Sequence, residues 1–195
     1  PLYSSAASDV YKRQIVGRPP RPEGISYIDI DNVAAAREAA EHLIGLGYRR
    51  IATIAGPANT AVGLDRKEGY LNALIHHGLP VEDSFIVEGD FTEAGGYTAM
   101  QRLLSGGARR PEAVFAASDM MAVGAMRAVR EAGLSVPQDV AFVGFDDIPM
   151  AELAFPPLTT IRQPIYSFGI RAVELLLDLV ENGVQPARRV IMETE

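Results

Sequence analysis

Short apolar runs alternate along this chain with segments in which apolar residues recur every three or four positions. The short runs are typical of strands buried on both faces, and the longer period is typical of helices that bury one face. We predict strands at Ile25–Ile30, Ile51–Ala55, Phe85–Val87, Ala113–Ala116, Val140–Val143 and Leu158–Ile161. Because strands that alternate with helices need crossover connections, the sequence predicts an α/β fold with a parallel sheet sandwiched by helices.

The predicted helices begin after capping residues, and most of them stop at glycines. A helix from Val33 follows Asp31-Asn32, and a helix at Asp65-Arg66 follows a loop that extends to Gly63. Its apolar face is predicted as Tyr70, Leu71, Leu74 and Ile75; further helices follow Thr92 and Ser118-Asp119. The last helix, about Tyr166 to Val180, has a broad apolar face that needs cover, formed by Phe168, Ala172, Leu175, Leu176 and Leu179.

Polar residues follow the predicted strands. The run Val140–Val143 leads through Gly144 to two adjacent carboxylates, Asp146 and Asp147. Ligands of open α/β sheets bind beyond the carboxyl ends of the strands, so these acids are candidates for a binding crevice. An alternative is that both acids only cap a turn before Pro149. Other strand ends predicted at the same edge carry Asp31, Asp90 with Phe91, and Ser118 with Asp119.

Composition narrows the classes of function. The 195 residues are 48% hydrophobic and 22% charged, as in a globular protein. The formal net charge of -7 repels nucleic acid phosphates, so this chain alone is not predicted to bind DNA. The chain has no cysteine, which excludes disulfides and thiolate chemistry, and no apolar run approaches the length of a membrane span.

No catalytic constellation stands out, and the sequence predicts neither a cofactor nor a metal. His42 lies within a helix. The adjacent His76 and His77 are expected to point in different directions on a helix, as solvated residues, so that they cannot share a metal as an i, i+4 pair would. Convergent carboxylates could hold Mg²⁺, but they suit a polyhydroxylated ligand better: Arg66 adds a fork of donors and Phe91 a flat apolar face. The alternatives are that Arg66 pairs with Asp65 or Glu68 and that Phe91 belongs to the core.

Two motifs carry a family resemblance. The stretch Leu134–Pro149, LSVPQDVAFVGFDDIP, and the stretch Pro156–Pro164, PPLTTIRQP, strongly resemble the effector-binding domain of LacI/GalR-family bacterial transcription regulators. The resemblance extends from about Ile15 to the end of the chain. Supporting motifs occur in the expected order: Asp31-Asn32, His42–Ala52, Gly56-Pro57, Arg66 with Gly69-Tyr70, Gly89–Phe91 and Ala113–Ala122.

The resemblance implies a periplasmic-binding-protein-like fold of two α/β subdomains that clasp a small effector, often a sugar or a nucleobase. In such regulators the positions that match Asp31, Arg66, Phe91 and Asp146 commonly contact the effector. Ser118 stands where many members have Asn, so this chain departs from the family pattern at one position of the pocket. Arg18 is also assigned to the pocket, although its neighbourhood matches less well.

The same resemblance implies a cytoplasmic homodimer that is not an enzyme and that reads a DNA operator through an N-terminal helix-turn-helix head absent from this chain. An exported sugar-binding protein of a transporter is the alternative, since it shares the fold; a Mg²⁺-dependent hydrolase is more distant.

The resemblance also divides the chain. Residues 32–162, with 190–195, are predicted to form one nearly complete C-terminal subdomain. Residues 15–31 and 163–189 are the remnants of a second, N-terminal subdomain, and residues 1–14, which have no sustained period, are predicted to be foreign to the domain. The apolar face from Phe168 to Leu179 would then lack much of its natural sheet, which would make the isolated chain associate.

Overall fold

The computed structural model describes residues 14–19, 22–106, 110–182 and 186–195. The described residues form two compact units. The smaller unit contains the residues up to Ile30 together with Pro164–Met192, and the larger contains Asp31–Gln163 and Glu193–Glu195. Of the segment 1–14 that was predicted to be foreign, only Gln14 lies within the described residues.

Eight strands and six α-helices make up the described residues. The strands are β1 (Gln14–Val16), β2 (Ser26–Ile30), β3 (Ile51–Ala55), β4 (Ile86–Glu88), β5 (Ala113–Ala116), β6 (Ala141–Asp146), β7 (Thr159–Arg162) and β8 (Arg189–Met192). The helices are α1 (Asn32–Gly45), α2 (Ala61–His76), α3 (Glu93–Leu104), α4 (Asp119–Glu131), α5 (Pro149–Leu153) and α6 (Ile165–Asn182). A short 3₁₀ turn, Asp83–Phe85, precedes β4.

All strand pairs are parallel. The larger unit holds a five-stranded sheet in the order β4-β3-β5-β6-β7, and the smaller unit holds a three-stranded sheet in the order β1-β2-β8. Every residue of β3 and β5 is buried, as expected for central parallel strands. The α/β fold class predicted from the alternating pattern is therefore confirmed.

Side-chain caps start four of the helices at the carboxyl edge of the strands. Asp31 accepts a hydrogen bond from the Ala34 amide, Thr92 from Gly95, and Ser118 from Met121. The fourth cap, Thr60, was not predicted. Its hydroxyl accepts from the Gly63 amide, so α2 begins at Ala61 rather than near Asp65, and the loop predicted to extend to Gly63 is shorter.

Helices α1 and α2 approach closely where α2 has a glycine. A Cβ on Gly69 would collide with the Val33 carbonyl and lie 2.7 Å from the Arg37 amide nitrogen. Around this crossing α2 buries Gly69, Tyr70, Ala73 and Leu74. Tyr70 also donates a hydrogen bond from its hydroxyl to the Ile51 carbonyl at 2.7 Å. The predicted apolar face was wrong at Ile75, which is 66% exposed because it lies off the helix face that these four residues form.

Two expectations for the smaller unit were also wrong. Residues 190–192 were assigned to the larger unit, but β8 pairs with β2 and only Glu193–Glu195 belong there.

On α6, the face predicted to lack cover contains Leu175 and Leu179, which are buried. The uncovered face is a different stripe, spaced by three or four residues and about half exposed or more: Tyr166, Ile170, Val173, Leu177 and Val180. Both faces of α6 are apolar, so periodicity alone could not separate them.

The close crossing at Gly69 predicts a large stability effect for one added methyl group. We expect Gly69→Ala to lower the free energy of unfolding by about 3 kcal/mol, since backbone atoms of α1 must move to admit the Cβ. Gly45→Ala is the matched control in α1, because no atom lies within 4 Å of the added Cβ. We expect that control to be neutral or to stabilise by up to about 1 kcal/mol. Urea unfolding of both variants measures the difference, and equal effects would contradict the close crossing.

The uncovered stripe of α6 predicts self-association of the isolated chain, since contiguous exposed apolar residues drive association. Replacing Val173 by Glu together with Leu177 by Lys places an i, i+4 pair of opposite charges on the stripe. We expect this double variant to sediment as a smaller species than the unaltered chain at the same concentration. Leu46→Lys, at an isolated exposed leucine, is the control and should change nothing. A monodisperse, monomeric unaltered chain would contradict the prediction.

Candidate functional site

The predicted site residues of the larger unit lie at the carboxyl ends of its strands and at the helix starts that follow them. Asp146 ends β6, Ser118 follows β5, and Phe91 follows β4. Arg66 lies in the second turn of α2, the helix that follows β3. Parallel pairing places all these strand ends at one edge, as the strand-end argument anticipated.

Arg66 connects several of these segments. Its side chain is 5% exposed and lies with its guanidinium carbon 3.6 Å from the centroid of the Phe145 ring. The Nε donates to Asn32 Oδ1 at 3.0 Å, and one terminal nitrogen donates to the Ala117 carbonyl at 2.7 Å and to Asp146 Oδ1 at 3.1 Å. Arg66 therefore orders the start of α1 and the ends of β5 and β6 together.

Asp146 is the partly exposed hydrogen-bond acceptor of the Arg66 network. Its Oδ1 also accepts from Gln163 Nε2 at 2.6 Å, and 23% of its side chain remains exposed. Burial raises the pKa of Asp146 above its ordinary value, and the opposing attraction of Arg66 and the hydrogen bond from Gln163 only partly offset that rise. A partly exposed carboxylate held in this way is a strong acceptor for a ligand hydroxyl.

The backbone at this edge is strained. Asp146 has φ 117°, Asp147 has φ 56°, and Phe91 has φ 64°; non-glycine residues seldom adopt positive values. Such strain is held only where the surroundings impose it, and it concentrates at functional sites. Asp147 is held by an ion pair with Arg162, which also binds Glu195 at 3.3 Å. The alternative that Asp146 and Asp147 only cap a turn is not supported, because α5 begins without a side-chain cap.

Asp119 anchors the loop beneath these acids. It is fully buried and accepts from the Thr160 hydroxyl at 2.6 Å and from the Ile148 amide at 2.9 Å. Burial raises the pKa of Asp119 from 3.8 to about 6, against the lowering effect of these donors, and the nearby Asp146 adds to the rise. A Cβ on Gly144 would collide with its carboxylate, so β6 needs a glycine there. Asp119 therefore fixes β7 and the segment after β6 relative to each other.

The other predicted site residues differ in burial, and one of them lies in the smaller unit. Phe91 is half-buried against the core and lies where a Cβ on Gly56 would meet its ring. Ser118 is buried and caps α4, and Asp31 caps α1 while remaining exposed. Arg18 belongs to the smaller unit, where its backbone amide donates to Asp29 Oδ2 at 2.7 Å.

Sequence reasoning missed two members of the network. Asn32 was assigned only a capping role, yet it accepts from Arg66, and Gln163, which binds Asp146, was assigned none. Their positions in the sequence could have indicated both residues. Asn32 is adjacent to the predicted site residue Asp31, and Gln163 lies within the family motif PPLTTIRQP.

The expectation for the histidine pair also fails in part. The rings of His76 and His77 are not directed apart; their centroids lie 5.1 Å from each other at 85°. Both side chains instead reach towards Glu41, since one ligand atom from each of the three residues lies within 4.8 Å of the others.

A family model described as a periplasmic binding protein-like domain matches residues 40–195. The chain belongs to this family. Its relatives identify the branch: it is 42% identical over 187 residues to the HTH-type transcriptional regulator CelR of Thermobifida fusca, covering 95% of this chain and 54% of that protein. It is 45% identical over 152 residues to the ribose operon repressor of Escherichia coli K12, covering 78% of this chain and 46% of that repressor.

Solved structures agree with these relatives. A complex of the regulator CelR with cellobiose superposes with a TM-score of 0.89 at 42% identity, covering 93% of this chain and 56% of that one. A LacI-family regulatory protein of Chloroflexus aggregans superposes with a TM-score of 0.87 at 40% identity. The match covers 93% of this chain and 65% of that one. The resemblance to the effector-binding domain of LacI-type regulators is thus confirmed, and a regulator is favoured over a transporter's binding protein.

This periplasmic binding protein-like chain spans about half the length of the curated relatives quoted above. Those relatives are named as a transcriptional regulator and an operon repressor. Among the described residues, none of the helices combines the length and the apolar character that crossing a membrane requires.

The burial of Asp119 predicts a specific pH dependence. Its pKa of about 6 in the folded chain lies above the ordinary 3.8, so the folded state binds this proton more tightly than the unfolded state does. The resulting stabilisation is complete below about pH 4 and is lost as the pH rises through 6. We expect the free energy of unfolding, relative to Asp119→Asn, to fall by about 2 kcal/mol from pH 4 to pH 7.

Urea unfolding at several pH values measures this difference. Asp83→Asn, which removes an exposed carboxylate at the start of the 3₁₀ turn, is the control for general charge effects. Parallel pH profiles for the unaltered chain and Asp119→Asn would show that the Asp119 carboxyl does not change its proton affinity on folding.

Proposed function

We propose that this chain is the ligand-sensing region of a LacI-type transcriptional regulator and that its effector is a small sugar. The observation that supports this most directly is the Arg66–Asp146–Gln163 network at the strained carboxyl edge of the five-stranded sheet. The confirmed family and the cellobiose named for one structural neighbour support the same class of ligand.

The edge suits a polyhydroxylated molecule. Asp146 keeps an exposed carboxylate face that accepts hydroxyl hydrogen bonds, while Arg66 and Gln163 hold it in place. Phe91 offers an aromatic surface for the apolar face of a sugar ring, or for a nucleobase as the second ligand class. Asp31 and Ser118 complete the proposed set of effector-binding residues on the larger unit, and Arg18 is proposed separately as an effector-binding residue of the smaller unit. Arg66 is too buried to offer much of its own surface, so its role is to position Asp146.

The function of the parent protein follows from its relatives. We infer that it is a cytoplasmic homodimer that binds a DNA operator through an additional helix-turn-helix domain, because its relatives carry HTH-type names and this acidic chain does not suit phosphate contacts. Effector binding would change operator affinity through the linkage that couples two ligands of one protein. The larger unit, Asp31–Gln163 with Glu193–Glu195, is then its C-terminal subdomain. The smaller unit, the residues up to Ile30 with Pro164–Met192, is its partial N-terminal subdomain.

The test is thermal unfolding of the full-length regulator against a panel of sugars, including cellobiose and ribose, and of nucleosides. A ligand that binds only the folded state stabilises it by RT ln(1 + [L]/Kd), about 2.7 kcal/mol at a hundredfold excess over Kd. We expect one compound to raise the melting temperature and Asp146→Asn to abolish that shift, because the variant removes the charged acceptor.

Asp139→Asn is the matched control. Asp139 lies just before β6, at the opposite end of the strand from Asp146, where it pairs with Arg110 at 3.1 Å. This variant should keep the full ligand response. If Asp146→Asn responded as strongly as Asp139→Asn, the assigned site would be wrong. If the identified compound left operator affinity unchanged in a gel-shift titration, the regulatory part of the proposal would be wrong.

A further inference from the structure

Glu41, His76 and His77 form a cluster on the larger unit, away from the carboxyl edge of the sheet. Glu41 lies in the last turns of α1, His76 is the last residue of α2, and His77 is the C-cap of α2. One ligand atom from each residue lies within 4.8 Å of the others. His77 Nε2 is 3.5 Å from Glu41 Oε1, and both histidines are exposed to solvent.

The end of α2 fixes this arrangement. The Gly78 amide donates to the Ile75 carbonyl and the Leu79 amide donates to the Leu74 carbonyl, with Gly78 at φ 65°. This pair of hydrogen bonds is the Schellman motif, which holds the last turn and the cap residue in place. The close crossing at Gly69 then sets α1 beside α2, so that Glu41 reaches the two imidazoles.

We propose that Glu41, His76 and His77 bind a divalent transition-metal ion, for which Zn²⁺ is the probe. Two imidazole nitrogens and one carboxylate oxygen form a known three-residue zinc ligand set that leaves a fourth position for water. The chain has three histidines and no cysteine, so two of its three imidazoles lie in this cluster and no thiolate competes for the ion.

The electrostatic surroundings act in both directions. The carboxyl end of α2 carries partial negative charge, which favours a cation beside its last residues. Arg37 opposes the ion, since its Nε donates to Glu41 Oε1 at 2.8 Å. A carboxylate must be ionised to bind the ion. Arg37 and the metal ion therefore compete for one carboxylate.

Binding would join the carboxyl-terminal ends of α1 and α2. The opposite ends of these helices carry Asn32 and Arg66, which bind each other at the carboxyl edge of the sheet. An ion at the far end would stabilise the helix pair that positions Arg66. It would bind the folded chain preferentially, because the unfolded chain does not hold the three residues together.

Isothermal titration with Zn²⁺ and the visible absorption of bound Co²⁺ test the proposal on the untagged 195-residue chain. We expect one ion per chain and a rise in melting temperature with Zn²⁺. Glu41→Gln, His76→Gln and His77→Gln should each weaken binding about tenfold or more. Circular dichroism of the apo variants checks that these substitutions leave the fold unchanged.

Two further variants sharpen the test. His42→Gln removes the remaining histidine, an exposed residue next to Glu41 in sequence but outside the cluster, and should leave Zn²⁺ affinity unchanged. Arg37→Gln should tighten binding because it removes the competing cation. Zn²⁺ affinity that does not change in His76→Gln and His77→Gln, or that falls equally in His42→Gln, would overturn the site. Weaker or unchanged binding in Arg37→Gln would overturn Glu41 as a ligand.

Discussion

The burial of the Arg66 guanidinium is the constraint on which the larger unit depends. A buried cation costs several kcal/mol unless it is paired and fully hydrogen-bonded. The acceptors of Arg66 come from three separate segments: Asn32 at the start of α1, the Ala117 carbonyl after β5, and Asp146 at the end of β6. A shift of any one of these segments alone would cost Arg66 a hydrogen bond. Arg66 thus holds the start of α1 and the ends of β5 and β6 together at the carboxyl edge of the sheet.

This constraint makes the strained backbone after β6 possible. Asp146 and Asp147 both have positive φ values, which non-glycine residues adopt at a cost of about 1–3 kcal/mol each. Arg66 and Gln163 hold the first carboxylate, Arg162 holds the second, and Asp119 fixes the Ile148 amide just beyond them. The Asp146 carboxylate keeps 23% of its side-chain surface exposed at this edge of the sheet. Preorganisation of this kind reduces what a ligand must spend on ordering its site.

The sequence predicted the parts of this arrangement that depend on local rules. Three of the four side-chain caps, the central strands and the placement of Asp146 at a strand end followed from spacing and residue type. The partners of Arg66 and Asp146 did not, because Asn32 is 34 positions from Arg66 and Gln163 is 17 from Asp146. The α6 prediction failed because both helix faces are apolar. The histidine prediction failed because it considered α2 alone, whereas both imidazoles lie near Glu41 of α1.

Two kinds of residue lie at the carboxyl edge of the sheet: buried residues that bind protein groups and partly exposed residues. Arg66, Asn32 and Asp119 are buried and bind protein groups, so they maintain the geometry whatever the ligand. Asp146 and Phe91 keep exposed surface. In the site proposed above, a change at either residue would alter what the edge binds without removing the network beneath. On that proposal, one scaffold serves different ligands because the exposed residues differ while the buried network stays. Ser118 illustrates the intermediate case: its hydroxyl caps α4, so Asn, another good capping residue, can replace it while it presents a different group to the ligand.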